Sequence, residues 1–462
     1  MSADLIVRGA QLVLPDGVVR GDLAVADGVI TAVGAVDAEA REEIPAGGLH
    51  LFPGGVDPHV HFNEPGRTDW EGFDTGTRAL AAGGVTTFVE MPLNSVPTTV
   101  DGQSFDLKLA AGEASSYVDF GLWGGLVPAN VDRLAELHER GVAGFKAFMC
   151  DSGIEEFPRI DDASLWRGMQ RIAGLGSILL VHAENAELVA TLASEARAVG
   201  RTGVRDFLDS RPAVAEQEAI ARAIFFAAET GCALHVVHVS TARGVELVEQ
   251  ARRDGIDVSC ETCPHYLVFC EDELEDLGVA AKCAPPLRPA AERAELWRLL
   301  AEGIVPMVTS DHSPSPPELK AGDFLSAWGG IASCQTTLPV LLEEGHAQRG
   351  VELARLAAAT STAAAERFRL AGKRGLEMGA DADLALVDLE QAWTLAGDEL
   401  LYRHRLSPYM GRRLRGRVVR TLVRGRTVFA DGRVQGAPAG RFVRPELHGV
   451  GRRERPSHGS AP

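Results

Sequence analysis

Six residues of types that bind metal ions lie at or near the ends of apolar, strand-like runs in this sequence. They are His59, His61, Lys146, His182, His238 and Asp311. The first two share one run, and each of the others lies on a run of its own. Because side chains so far apart along a chain meet only where a closed scaffold gathers the strand ends, the set predicts a metal centre at the mouth of such a scaffold.

Lys146 is the unusual member of this set. The chain has five lysines against forty-one arginines, yet this lysine lies inside the apolar run 144–149. An ordinary ammonium is expensive to bury there. A lysine amine can lose its proton and add carbon dioxide, which converts it into an anionic carbamate with two oxygens. Such a carbamate, N6-carboxylysine, would be able to bridge two cations.

Such a centre would hydrolyse a carbonyl compound. Two divalent ions held about 3.5 to 4 Å apart lower the pKa of a water between them from about 15.7 to roughly 7, so hydroxide is available at neutral pH. Asp311 is placed to take the proton of that hydroxide during attack and then to give it to the departing nitrogen. No Ser or Cys stands in a nucleophile-elbow context, so a covalent acyl-enzyme is not expected.

The elements that must position these residues alternate along the chain. Eight short runs rich in β-branched and apolar residues cover 51–62, 85–93, 119–127, 144–149, 177–184, 232–240, 257–267 and 305–313. Segments with apolar residues at three- and four-residue intervals lie between them, as in 72–82, 131–140, 212–229, 243–253 and 290–302. This α/β alternation predicts a (β/α)8 TIM barrel.

Catalytic groups of such a barrel belong at the carboxyl ends of its strands. The predicted ligands fall there, with His59 and His61 on the first strand, Lys146 on the fourth, His182 on the fifth, His238 on the sixth and Asp311 on the eighth. His235 competes with His238 on the sixth run. Since the two have opposite parity, only one faces inward, and His238 lies nearer the loop. We therefore predict that His235 faces outward.

The two ends of the chain have a different pattern from the barrel. Residues 1–50 and 375–445 contain short alternating strands with turn signals, and the simplest arrangement pairs them in one small β-sandwich domain. Residues 51–374 then form the catalytic barrel inserted between them. Residues 446–462 are polar and are predicted to be a flexible tail.

Composition excludes several classes of partner. A formal charge of -18 argues against a nucleic-acid surface, which needs a basic face. No apolar run approaches the roughly twenty residues of a membrane span, and the N-terminus lacks a basic-then-apolar secretion signal. The expected partners are small molecules, and the expected location is the cytoplasm.

Each motif also has an ordinary structural interpretation. A lone strand histidine is more often a hydrogen-bonded core residue, and a strand-end aspartate is often a helix N-cap. Cys260 and Cys263, followed by His265, resemble a zinc knuckle, but no second pair follows at suitable spacing, so two reduced, packed thiols are the better interpretation. We assign structural roles to His265 and His312 as well, because only the joint pattern of the six predicted ligands is hard to explain structurally.

Several motifs resemble one known family, the cyclic amidohydrolases, which include dihydroorotases, hydantoinases with dihydropyrimidinases, and allantoinases. The resemblance covers nearly the whole chain and is closest to the allantoinase branch. It is carried by residues 59–73 (HVHFNEPGRTDWEGF), 90–94 (EMPLN), 146–149 (KAFM), 261–266 (ETCPHY), 282–288 (KCAPPLR), 328–332 (WGGIA) and, most specifically, 310–318 (SDHSPSPPE).

The resemblance implies two metal ions, usually zinc, bridged by carboxylated Lys146. One ion would be held by His59, His61 and Asp311, and the other by His182 and His238. It also implies hydrolysis of the imide bond of allantoin to give allantoate in purine catabolism, by a homotetramer.

One departure leaves the oxyanion contact open. Hydantoinases place a tyrosine a few residues beyond the bridging lysine, whereas this chain has 150–153 (CDSG) there. One metal ion can serve as Lewis acid, and Ser152 is a weak alternative. Asn94 and Ser313 are predicted substrate contacts, and Ala284 offers only backbone groups. For Asn94 and Ser313, a turn-stabilising role is equally good.

Three interpretations remain at this point. The first is allantoin hydrolysis, and the second is action on another cyclic amide, as in a hydantoinase or dihydropyrimidinase. The third is a non-catalytic scaffold related to dihydropyrimidinases, against which the intact ligand set argues.

Overall fold

The structure is a computed structural model and describes residues 3–446. Apart from Glu446, the predicted tail 446–462 lies outside the described residues. Within that range, no helix combines the length and apolar character needed to cross a bilayer.

Strands dominate both ends of the described chain, and strands alternate with helices between them. The strands are β1 (Ala3–Leu14), β2 (Gly17–Ala26), β3 (Val29–Gly34), β4 (Ala40–Pro45), β5 (His50–Pro53), β6 (Gly55–Val60), β7 (Val85–Glu90), β8 (Asp119–Leu122), β9 (Gly124–Gly125), β10 (Phe145–Phe148), β11 (Ile178–His182), β12 (Ala233–Val236), β13 (Val258–Thr262), β14 (Met307–Val308), β15 (Leu384–Thr394), β16 (Arg413–Val423), β17 (Arg426–Ala430) and β18 (Arg433–Val434). The α-helices are α1 (Phe73–Ala82), α2 (Gly102–Ser115), α3 (Leu134–Arg140), α4 (Asp162–Gly174), α5 (Ala186–Ala198), α6 (Val204–Ser210), α7 (Ala213–Thr230), α8 (Ala242–Arg253), α9 (Pro264–Val268), α10 (Leu274–Leu277), α11 (Ala290–Ala301), α12 (Thr337–Leu341), α13 (Leu353–Ala357) and α14 (Ala363–Arg367).

Strands β6 to β14 form the predicted (β/α)8 barrel, with β8 and β9 as two pieces of its third strand. β6, β7 and β8 pair in parallel, and β9 to β14 pair in parallel in chain order. The barrel closes where the backbone N–H of His61 donates to the carbonyl oxygen of His312 at 2.8 Å. Each of the eight predicted runs contains one of these strands, so the predicted barrel fold is confirmed.

The barrel helices form where one face is apolar and the first turn is capped. In α4, Leu165, Met169 and Ile172 are buried on one face, and the Asp161 side chain accepts a hydrogen bond from the Ser164 backbone N–H at 2.9 Å. Such helices cover the outside of the sheet. They leave the carboxyl ends of the strands as the place where polar side chains can gather.

Inside the barrel, apolar side chains precede the predicted ligands on several strands. Val56, Leu180, Val237 and Met307 belong to one buried cluster. Each stands one to four residues before a predicted ligand in the same predicted run, and the strands of these runs are parallel. The cluster therefore closes the barrel on the amino-terminal side of the ligands and confines the polar site to one mouth.

Both chain ends meet in a second, β-rich unit. Strands β1 to β5 and β15 to β18 form a single nine-stranded sheet, in which β5 lies between β1 and β15. The sequence predicted residues 51–62 as one strand, but the structure divides this run into β5 and β6 at Gly54. A side chain at Gly54 would place its Cβ 2.3 Å from Thr86 Oγ1, so only glycine fits the crossing from one unit to the other.

A buried ion cluster links this sheet to the base of the barrel. Lys373 Nζ lies 2.7 Å from Asp119, 2.9 Å from Asp381 and 2.8 Å from Asp383. Burial opposes the charge of Lys373, but the three carboxylates raise its pKa above the usual value. The ammonium is therefore matched by its partners, which is the usual condition for burying a lysine.

Candidate metal centre

The first three predicted ligands meet at the mouth of the barrel. His59 is the penultimate residue of β6, His61 directly follows that strand, and Asp311 stands three residues after β14. His59 Nε2 lies 3.3 Å from Asp311 Oδ1, and His61 Nε2 lies 3.6 Å from the same oxygen. Both histidines are at most 5% exposed. Two imidazole nitrogens and one carboxylate oxygen thus face one point, and together they are suitable ligands for a divalent ion.

The next two predicted ligands adjoin this group. The ring centroids of His182 and His238 are 4.6 Å apart, and the His238 ring lies 5.4 Å from that of His59. Burial lowers the pKa of His238 well below its ordinary value, and the neighbouring His182 and Lys146 lower it further. Both imidazoles are therefore neutral at pH 7, the form that binds metal.

Lys146 lies beside these rings and is completely buried. Its Nζ has no hydrogen-bond partner among the residues 3–446, and it lies 5.1 Å from the centroid of the Phe148 ring. Burial lowers the pKa of the Lys146 amine to about 7, although the charges of Glu261 and Asp311 favour the protonated form. An unpartnered buried amine of this kind fits a carbamate that ligates metal, and does not fit an ordinary structural ammonium such as Lys373.

Asp311 has the electrostatics expected of a metal ligand. Burial alone would raise its pKa, but the imidazoles of His59 and His61 hold the pKa of the carboxyl well below its usual range. The carboxylate is therefore ionised at neutral pH. It can bind a cation and exchange a proton with a group beside it.

For three of the four predicted ligand histidines, one ring nitrogen is held by an acceptor. His59 Nδ1 forms a short hydrogen bond with Glu261 Oε1, and His61 Nδ1 lies 3.0 Å from the carbonyl oxygen of Leu93. His182 Nε2 lies 2.8 Å from Glu184 Oε2. These contacts leave Nε2 of His59 and His61, and Nδ1 of His182, without a proton and free to ligate.

The predicted outward orientation of His235 is wrong. Its Nε2 lies 3.1 Å from Glu261 Oε2, and Glu261 in turn contacts the ligand His59. The strand register pairs Lys146 with Leu180 and Leu180 with His235, so the three share the inner side of the barrel. The parity rule failed because β12 ends at Val236 and His238 adopts a left-handed backbone with φ of 42°, which breaks the alternation.

A positive φ also occurs at two other non-glycine residues of this mouth. Asp311 has φ of 43°, and Asn63, which follows the first ligand pair, has φ of 65°. Such conformations cost of order 1–3 kcal/mol each and persist where surrounding contacts impose them. The three residues with positive φ lie at the ends of the first, sixth and eighth strands, where the predicted ligands also lie.

The predicted substrate contacts lie in the loops around this mouth. Asn94 Nδ2 donates to Asn63 Oδ1 at 3.1 Å, and the Asn94 carbonyl accepts from Arg67. The Ser152 hydroxyl donates to the Phe157 carbonyl at 2.6 Å, so it stabilises its own loop.

The other two predicted contacts, Ala284 and Ser313, are partly exposed in loops after the seventh and eighth strands. The Ser313 backbone N–H donates to the carbonyl oxygen of Ile331 at 3.0 Å. The positions of these four residues do not test whether they contact a substrate, so the four contacts stay predictions.

Several buried polar residues of the site were not predicted from the sequence. Glu184 and Glu261 are at most 1% exposed, and Arg211 pairs with Glu184. For Glu184 a signal existed, because it stands two positions beyond His182 and so on the same side of an extended chain. For Glu261 and Arg211 no spacing could indicate the contact, since their partners lie on other strands.

The structure places Cys260 and Cys263 in different surroundings. All seven cysteines are free and buried, and Cys260 is packed in the main apolar core. Cys263 Sγ lies with His265 and Asp311 in a group whose potential ligand atoms are within 4.8 Å of one another. His265 is fully buried, and burial lowers its pKa to about 4. The packed-thiol interpretation is therefore supported for Cys260.

The parallel barrel, together with histidine, lysine and aspartate side chains at its carboxyl-terminal mouth, is typical of metal-dependent hydrolases. The sequence profile of the amidohydrolase family matches residues 50–428. The chain belongs to the amidohydrolase family.

Relatives and solved structures match almost the entire chain. The chain is 59% identical over 449 residues to a protein named allantoinase from Rubrobacter xylanophilus, with 96% of this chain and 99% of the relative covered. It is 51% identical over 447 residues to an allantoinase from Solibacter usitatus, with coverage of 96% and 98%. The solved L-hydantoinase (dihydropyrimidinase) from Arthrobacter aurescens has a TM-score of 0.93 at 35% identity and covers 96% of this chain and 100% of its own.

Proposed function

We propose that this chain is an allantoinase, which hydrolyses the ring imide bond of allantoin to give allantoate in purine (ureide) nitrogen catabolism. Full-length similarity to proteins of that name, at up to 59% identity, carries the proposal. The solved hydantoinase is more distant in sequence, at 35% identity. A non-catalytic scaffold is disfavoured because all six predicted ligand residues are present.

The residues fit two divalent ions, which we propose to be zinc. His59, His61 and Asp311 would hold one ion, and His182 and His238 the other. Carboxylated Lys146 would bridge them: the neutral Nζ attacks the carbon of carbon dioxide, an N–C bond forms, and one proton leaves. The unpartnered, buried Nζ supports this role.

The ions, when bound, make a water molecule acidic enough to supply hydroxide near pH 7 and withdraw charge from the substrate carbonyl. Asp311 is the catalytic acid and base. Its ionised carboxylate would take the remaining proton of the attacking hydroxide and deliver it to the departing ring nitrogen. His59 and His61, whose Nε2 atoms lie 3.3 and 3.6 Å from Oδ1, would hold the same ion as the carboxylate.

The surrounding loops would bind the substrate. Asn94 and Ser313 are proposed to contact the ring or the ureido group, and Ala284 would offer backbone groups. Ser152 is a weaker proposal, because its proton is already donated within its own loop. We also propose that the protein is a cytoplasmic homotetramer.

The test is a substrate comparison on metal-analysed protein. Zinc- and bicarbonate-loaded enzyme should produce allantoate from allantoin with a kcat/KM at least tenfold above its values for hydantoin and dihydrouracil, and should contain close to two ions per chain. A preference for hydantoin or dihydrouracil would assign the second activity instead. A folded, metal-free and inactive protein would favour the scaffold.

A further inference from the structure

Two of the candidate ligand histidines form hydrogen bonds with buried carboxylates from different parts of the barrel. His59 Nδ1 contacts Glu261 Oε1, and His182 Nε2 lies 2.8 Å from Glu184 Oε2. The side chains of both glutamates are completely buried. Since hydrogen bonds and opposite charges offset the cost of burying a carboxylate, these contacts belong to the construction of the site.

Each carboxylate determines which nitrogen its histidine presents. An ionised carboxylate only accepts hydrogen bonds, so the nitrogen facing it must carry the proton, and the other nitrogen keeps its lone pair. His59 therefore presents Nε2, the atom 3.3 Å from Asp311 Oδ1. His182 presents Nδ1, the opposite choice. The two histidines reach the centre with different atoms because their carboxylates lie on different sides.

Each carboxylate is in turn held by a second partner. Glu261 Oε2 lies 3.1 Å from His235 Nε2, and His235 Nδ1 lies 2.8 Å from Ser259 Oγ. Glu184 Oε2 accepts a short hydrogen bond from Arg211 Nη1. Without these partners either carboxylate could rotate away from its histidine.

We propose that Glu261 and Glu184 are positioning residues for two different metal ions, with His235 and Arg211 holding the two carboxylates in place. This inference rests on the proposed binuclear function and deepens it. Glu261 acts only through His59, so it governs the ion shared with His61 and Asp311. Of the predicted ligands, Glu184 contacts His182, so it governs the ion shared with His238.

The physical basis is ligand orientation and basicity. A carboxylate behind an imidazole fixes the ring and strengthens the donor atom, and loss of such a partner typically costs about 10- to 100-fold in metal affinity. We expect Glu261→Ala to weaken one binding step by this factor and Glu184→Ala to weaken the other. Glutamine should lose less than alanine at both positions, because its amide oxygen can still accept the histidine proton.

The experiment measures metal binding rather than turnover. Chelator-stripped protein is titrated with zinc against a chelating dye to obtain both stepwise constants, and with cobalt to record the visible spectrum of each step. His61→Ala and His238→Ala provide the spectra of protein lacking a ligand of one ion or the other. Asp383→Asn, a buried carboxylate at the far base of the barrel, is the control for a general loss of stability.

We expect the two glutamate variants to weaken different metal-binding steps. Glu261→Ala should match the cobalt spectrum of His61→Ala, and Glu184→Ala should match that of His238→Ala, while Asp383→Asn keeps both wild-type steps. Identical patterns for the two glutamate variants, or two unchanged constants, would overturn the inference. If an alanine variant does not fold, the glutamine pair is judged by the same comparison. Wild-type protein that binds no zinc or cobalt would instead refute the proposed function, and this inference with it.

Discussion

Lys146 should make the metal-free protein less stable than a variant that lacks its amine. The Nζ is buried and has no hydrogen-bond partner in the described part of the chain, and the attraction of Glu261 and Asp311 does not offset the cost of burying the charge. Lys146→Met keeps most of the side-chain volume and removes the amine. We therefore expect this inactive variant to unfold at higher urea concentration than wild-type apoprotein.

The size of the effect follows from the pKa of the amine. Burial lowers the pKa of the Lys146 amine from 10.5 to about 7. Each tenfold change in proton affinity corresponds to about 1.4 kcal/mol. The protonated amine therefore lowers the stability of the folded apoprotein by up to about 5 kcal/mol. Between about pH 7 and 10.5 the unfolded chain holds the proton and the folded one releases it, so wild-type stability rises with pH. The advantage of Lys146→Met is thus full below about pH 7 and vanishes above about pH 10.5.

Urea unfolding of chelator-treated, carbon-dioxide-free protein between pH 6 and pH 10.5 measures this difference. Lys108→Met is the matched control, because Lys108 is equally buried but donates to the Met91 carbonyl at 2.8 Å and lies 3.6 Å from Glu90. Its removal leaves Glu90 without its cation and should destabilise the fold. A Lys146→Met apoprotein that is less stable than wild type at pH 6 would refute the assignment of Lys146 as an unpaired amine.

Four further predictions concern activity and packing. Lys146→Ala should lower allantoin hydrolysis by at least about 10³-fold, the equivalent of about 4 kcal/mol, and short-chain carboxylic acids should restore part of it; full activity without added acid would contradict the bridging role. Asp311→Asn should lower kcat by about 10²- to 10⁴-fold, measured on protein whose metal content is known, and a wild-type rate would remove Asp311 from proton transfer. Chelation should abolish activity, and zinc with bicarbonate should restore it faster than zinc alone; equal recovery rates would argue against a carbamate. Gly54→Ala should lower the free energy of unfolding by about 1–3 kcal/mol, since its Cβ would lie 2.3 Å from Thr86 Oγ1, and an unchanged urea midpoint would show that β6 and β7 can separate at no cost.

Much of the fold could be predicted because periodicity is a local property. Eight apolar runs alternating with amphipathic helices predicted a parallel barrel, and every run contains a barrel strand. The boundary between the barrel and the β-rich unit was harder to predict from the sequence. Residues 51–62 form one apolar run, and only the contact of Gly54 with Thr86 on β7 shows why the strand must change sheets there.

The candidate ligands could be predicted from the sequence for a similar reason. Histidine, lysine and aspartate at strand ends stand out against apolar sequence, and parallel strands place their carboxyl ends at one rim. His235 was misjudged because strict alternation was assumed to continue past the end of β12. The positive φ of His238 reverses the direction of that side chain, and such a local departure leaves no periodic signal.

The sequence by itself determined the barrel, the metal-binding types of side chain and the family to which the chain belongs, since all three depend on residue type and spacing along the chain. Only the tertiary structure decided which nitrogen of each histidine faces the centre and which carboxylate holds it there. Those contacts join residues such as His59 and Glu261, 202 positions apart. Hydrogen-bond partners on different strands are set by how the barrel closes and by the register of its strands.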